Sequence, residues 1–125
     1  RTLQALGKMT NANDPNRGIV RGLALNPGTP LDVIDPVRDE LEMVLVLAVN
    51  PGWGGQKFIA APRERVQQIK QKLGDEVLIC VDGGSTRDNI ADAARMGADI
   101  IVTGSAVFDG KAPLENAKFM RSAIQ

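Results

Sequence analysis

The sequence contains no histidine and no tyrosine, and only one cysteine, one tryptophan and three phenylalanines. Without histidine the chain lacks the commonest general base and the commonest metal ligand, so carboxylates are left as its candidates for proton transfer. A single cysteine, Cys80, cannot staple a fold, which suits a reducing, cytoplasmic setting. An excess of one charge is also lacking: fifteen Lys and Arg balance fifteen Asp and Glu. With no basic run, there is no electrostatic reason to hold nucleic acid or an anionic membrane surface. The longest apolar stretch, residues 43–49 (MVLVLAV), is far short of the ~20 residues that span a bilayer. No signal peptide is legible, and the first residue is Arg1 rather than Met, so an upstream segment is expected.

What is present is a core. Hydrophobic residues make up 43% of the 125, enough for residues 1–125 to form a single domain or a piece of one. Short apolar runs alternate with amphipathic segments, the pattern of strand and helix units around a parallel sheet. Four runs read as strands: 19–25 (IVRGLAL), 42–49 (EMVLVLAV), 77–82 (VLICVD) and 99–103 (DIIVT). Helices are expected over 62–73, where Val66, Ile69 and Leu73 recur at helical spacing behind Pro62 and before Gly74, over 86–96 with Ser85 or Thr86 as cap, and over 113–124. A short helix is expected over 31–37, and residues 1–6 read as the end of a helix. The polar stretch 7–17 (GKMTNANDPNR) reads as an exposed loop. Asp32, Asp35, Asp39 and Glu40 read as a solvated acidic face.

Glycine follows every expected strand: Asn26-Pro27-Gly28, then Asn50-Pro51-Gly52-Trp53-Gly54-Gly55, then Asp82-Gly83-Gly84, then Gly104-Ser105. The C-terminal ends of parallel strands are where such folds gather their ligand sites. Glycine lets backbone N–H groups approach a phosphate with no side chain in the way, so these turns together read as an anion cradle; singly, each serves a tight turn equally well. Asp82 ends a buried apolar strand, where a carboxylate needs a partner, a metal or a chemical task, unless it caps the next turn. Alternation places Leu78 and Cys80 on its face of the strand, with Ile79 and Val81 opposite. Cys80 reads as a small core filler. Trp53 suits either a lid over a ligand or an anchor for its loop, and Gln56 and Lys57 read mainly as solvated side chains.

These strings, in this order, carry a resemblance. Leu25 to Pro30 (LNPGTP), Val49 to Phe58 (VNPGWGGQKF), Val81 to Gly84 (VDGG) and Ala98-Asp99 leading to Gly104-Ser105-Ala106-Val107-Phe108 resemble the ribulose-phosphate 3-epimerase family, over the stretch from Gly22 to the C-terminus. The resemblance implies a phosphosugar-binding (β/α)8 TIM barrel. Such barrels run to roughly 250 residues, so this chain would be the C-terminal half with four parallel strands. It implies 3-epimerisation of D-ribulose 5-phosphate to D-xylulose 5-phosphate in the pentose phosphate pathway. A divalent metal of Zn, Fe, Mn or Co type, held by two histidines and two aspartates, would polarise the ketone while two aspartates exchange a proton on opposite faces of C3. Asp82 matches the position that is both metal ligand and acid/base. Gly52, Trp53, Gly54, Gly55, Gly83, Gly84, Gly104 and Ser105 match the substrate and phosphate positions. The histidines and the partner aspartate would belong to an N-terminal half.

Two departures suggest a divergent branch: the Asn/Asp-rich stretch 11–17 is longer than the family's usual connection, and Leu47 stands where many members have a methionine facing the substrate. They keep open a hexulose-phosphate 3-epimerase acting on allulose 6-phosphate. A non-catalytic phosphate-binding half barrel is the reading from another class. Its open sheet edges predict pairing with a second copy or with the missing half. A doubly wound open sheet gives the same alternating pattern.

Overall fold

The computed structural model describes residues 1–48 and 62–125. A short helix α1 (Thr2–Leu6) leads into an antiparallel pair, β1 (Thr10–Asn11) and β2 (Asp14–Gly18). Then come β3 (Gly22–Leu25), a 3-10 segment (Leu31–Glu40), β4 (Met43–Leu47), α2 (Pro62–Leu73), β5 (Leu78–Asp82), α3 (Ile90–Arg95), β6 (Ile100–Ile101) and α4 (Pro113–Ala123).

Four strands form one parallel sheet in the order β3-β4-β5-β6. Each strand therefore pairs with the next one in sequence. Crossovers between parallel strands are right-handed, so an unbroken order keeps them on one face, whereas a doubly wound sheet reverses its order at a switch point. No reversal occurs among the described strands, which sets the doubly wound alternative aside. The sheet is the expected partial barrel.

Alternation divides the sheet into two faces. Leu25, Val44, Val46, Ile79 and Val81 are almost fully buried and form one cluster with Val66 and Ile69 of α2. Each such aliphatic side chain contributes about 1.5–3 kcal/mol by leaving water, so this layer dominates stability. A second cluster of Ile90, Val107 and Met120 joins α3 and α4 to β6 through Ile101. Ala24, Met43, Leu45, Leu47, Leu78, Cys80 and Asp82 take the opposite face by the same alternation. There Leu78 and Ile100 are each 41% exposed.

Several expectations change. The stretch 7–17, read as a loop, contains the β1–β2 pair: the Asn13 N–H donates to Asn11 Oδ1 (2.9 Å) and the Asn16 N–H to Asp14 Oδ1 (3.2 Å). Side-chain turns of this kind fold a polar segment back on itself, and Pro15 is tolerated because the pair has free edges. The first expected strand starts at Gly22, not at Ile19. The expected 31–37 helix is a 3-10 segment that runs to Glu40, with Pro36 inside it.

The helix expected over 86–96 is confined to Ile90–Arg95. Asn89 accounts for this, because its Oδ1 accepts the Thr86 N–H (2.7 Å) and its Nδ2 donates to the Gly84 carbonyl (2.8 Å). Its amide thus competes with the backbone of the first turn. Neither Ser85 nor Thr86 caps α3. In the acidic group, Glu40 pairs with Arg21 and Asp35 with Lys72, each at 2.5 Å.

Candidate functional site

All four strands run the same way, so the residues that follow them share one edge of the sheet. Asp82 ends β5 opposite Leu47, the last residue of β4. The Ala48 N–H donates to the Asp82 carbonyl at 2.7 Å, and the Val102 N–H donates to the Val81 carbonyl at 2.9 Å. Both neighbouring strands therefore hold the backbone at Asp82, and its carboxylate stands half-buried on the face opposite α2.

Gly83 and Gly84 follow with φ of 107° and 68°. Side-chain-bearing residues avoid both conformations, so the turn needs glycine for its backbone path alone. Gly104 is different. Its φ is not positive, and an added Cβ would meet nothing within 4 Å. The backbone path therefore does not demand glycine there, and its N–H is left without a side chain beside it. The Gly104 carbonyl accepts the Val107 and Phe108 N–H groups, both at 2.9 Å. Gly104 and Ser105 thus begin a tight turn on the same rim.

Cys80 lies beneath Asp82 on the same face and is 3% exposed. Burial, reinforced by the Asp82 carboxylate, pushes its thiol above the ordinary value. That agrees with a core filler and not with a nucleophile. The expected site residues Gly52, Trp53, Gly54 and Gly55, with Gln56 and Lys57, lie outside the described residues.

Sequence reasoning missed Arg65. Its guanidinium donates from Nη2 to the carbonyls of Asn26 (3.1 Å) and Thr29, tying α2 to the turn after β3. Burial pulls its pKa below the ordinary value. In sequence it is one polar residue among many on an amphipathic helix, and no local signal marks it. The hydroxyls of Ser85 and Thr103 were also missed; both are buried with no hydrogen-bond partner among the described residues. A groove of about 500 Å³ between α3 and α4, lined by Ile90, Ile101, Thr103, Val107 and Met120, opens on the helix side of the sheet, the face opposite Asp82.

The rim therefore brings Asp82, Gly83, Gly84, Gly104 and Ser105 to one edge. The family model described as "Ribulose-phosphate 3 epimerase family" matches residues 8–108. The chain belongs to the ribulose-phosphate 3-epimerase family. It is 43% identical over 94 residues to ribulose-phosphate 3-epimerase of Serratia marcescens, covering 73% of this chain and 45% of that protein. The corresponding enzyme of Escherichia coli K12 is 41% identical over 95 residues, covering 74% of this chain and 42% of its own length. A putative epimerase, LsrE, of Salmonella typhi is 38% identical over 128 residues and covers 99% of this chain and 50% of LsrE. The chain spans about half the length of these relatives, or less.

Membership in an epimerase family built on a TIM barrel accounts for the four-stranded parallel sheet. The metal that the resemblance implies is a separate question. Among the described residues, no group of three or more His, Cys, Asp or Glu is placed to hold a metal ion. Asp82 offers one carboxylate, and one carboxylate does not make a site for a divalent cation. No helix of the described residues is long and apolar enough to cross a membrane.

Proposed function

We propose that this chain is the C-terminal half of a cytoplasmic phosphoketose 3-epimerase, in which Asp82 exchanges the C3 proton of D-ribulose 5-phosphate on one face of the sugar. The observation that carries the reading is a carboxylate at the end of β5, flanked on its own rim by the backbone-open turns at Gly83–Gly84 and Gly104–Ser105. The turns would hold the phosphate through N–H groups, and so fix the distance from phosphate to C3.

Asp82 would take the C3 proton, and the C3–H electron pair would move into a C2–C3 double bond as the ketone oxygen gains charge. Return of a proton from the other face gives D-xylulose 5-phosphate. Asp82 can serve only one face, so inversion needs a second acid from outside the described residues. A proton beside a ketone is too weak an acid for a lone carboxylate, so the developing charge also needs stabilisation from outside them. The family's metal, of Zn, Fe, Mn or Co type, would have to draw its remaining ligands from elsewhere. By itself the chain would be a non-catalytic, phosphate-binding half barrel. The exposure of Leu78, Ile100 and Val102 favours covering of that face by an N-terminal half or a second copy.

A second phosphoketose, allulose 6-phosphate, is compatible with two features. The putative epimerase LsrE aligns with nearly the whole chain, while the two ribulose-phosphate 3-epimerases named above align with 73–74% of it. Leu47 also pairs with Asp82 across the β4–β5 ladder, on the face opposite α2. A direct test gives the complete enzyme each phosphoketose in D2O and follows deuterium entry at C3 by NMR. Exchange with inversion of ribulose 5-phosphate is expected. Turnover of the hexulose phosphate alone would establish the second substrate, and exchange with neither would overturn the assignment.

A further inference from the structure

The β3–β4 register pairs Gly22 with Met43 and Ala24 with Leu45, and the β4–β5 register pairs Leu47 with Asp82. Continued by one step of two, the first register sets Asn26 beside Leu47. Asn26, Leu47 and Asp82 then form one row across the mouth, on the face opposite α2. Asn26 lies two strand spacings, about 10 Å, from Asp82. It is exposed there, as Ala24 is, while Leu25 between them is buried.

The backbone at Asn26 is held more firmly than a surface turn requires. The Thr29 N–H donates to the Asn26 carbonyl at 3.1 Å, closing the turn, and Arg65 Nη2 donates to the same carbonyl at 3.1 Å and to that of Thr29. Arg65 makes no ion pair with a carboxylate among the described residues. Among the described residues its guanidinium donates to these two carbonyls through Nη2. A guanidinium on two carbonyls fixes the turn against a helix in the way a single hydrogen bond cannot.

We propose that Asn26 is a further substrate-binding residue, its side-chain amide set toward the sugar hydroxyls on the β3 side of the mouth, with Arg65 as the positioning residue that holds it there. The inference rests on the phosphoketose reading above. An amide both donates and accepts, which matches the hydroxyl groups of a ketose and offers nothing particular to a phosphate. Asn26 follows β3, two strands from Gly83 and Gly84 and three from Gly104, so its contribution to sugar binding is read separately from phosphate affinity.

The experiment compares wild type, Asn26→Ala, Arg65→Met and Arg65→Lys in the complete enzyme, measuring kcat and KM for each phosphoketose and competitive inhibition by inorganic phosphate. Asn26→Ala removes an exposed side chain and should fold normally. Its KM should rise about tenfold, the size of one hydrogen bond to a sugar hydroxyl, with kcat and phosphate inhibition nearly unchanged. Arg65→Met should reproduce that split, and Arg65→Lys should recover part of it. Wild-type kinetics in Asn26→Ala, with wild type active, would overturn this inference and leave the phosphoketose reading standing. A weakened phosphate inhibition in Asn26→Ala would also overturn it. A wild type that processes no phosphoketose would remove both.

Discussion

Leu47 and Asp82 face each other across the β4–β5 ladder, one an apolar residue and the other a carboxylate, in the last register pair before the strands end. The hydrogen bond from Ala48 to the Asp82 carbonyl locks that pair at 2.7 Å. The backbone at Asp82 is thereby held in place, as the proposed proton-transfer role requires, and the surrounding geometry can be checked at neighbouring positions.

Gly83 and Gly104 separate folding from binding. Gly83→Ala forces a side chain into φ near 107°, and stability should fall by about 1–3 kcal/mol in denaturant unfolding. Gly104→Ala meets open space, so stability should change little while the affinity for inorganic phosphate falls, as read by calorimetry. Equal phosphate binding in Gly104→Ala and wild type would remove Gly104 from the cradle.

Cys80 should be inert in the folded protein. Burial and the nearby Asp82 raise its thiol pKa, so the reactive thiolate is scarce at neutral pH. Iodoacetamide should label it slowly until the chain is unfolded. Rapid stoichiometric labelling under native conditions would contradict the packing described for β5.

Glu42 gives the acid side of the stability curve. Its carboxylate accepts the Arg21 backbone N–H (2.8 Å) and Nε (3.2 Å), and these bonds hold its pKa below 4.5. A depressed carboxylate pKa stabilises the fold above its unfolded value and loses that contribution as pH falls through the folded value. The pair is exposed, so the effect is small. Glu42→Gln should lower stability at neutral pH by less than about 1 kcal/mol, with the difference vanishing below the carboxylate range. An undiminished difference at low pH would argue against the assignment.

Much of this was legible in the sequence because it rests on period. The alternation in MVLVL and LICVD sets which residues meet α2, and 62–73 carries its helical spacing openly. Asp82 and the glycine turns were legible because strand ends and glycines mark a rim. Arg65 was not, since its partners are backbone carbonyls 36 and 39 residues away. Nor was the β1–β2 pair, which depends on Asx turns within a stretch that composition reports only as polar. The shortening of α3 turns on a single amide, that of Asn89.

The central claim is that Asp82 handles the C3 proton. Its direct test is Asp82→Asn in the complete enzyme, following deuterium entry at C3 of ribulose 5-phosphate together with the binding of inorganic phosphate. The substitution keeps shape and removes the base. Exchange should fall by about 10²–10⁴-fold, the range for loss of a general acid–base group, with phosphate affinity preserved. Exchange at the wild-type rate in Asp82→Asn would contradict the account.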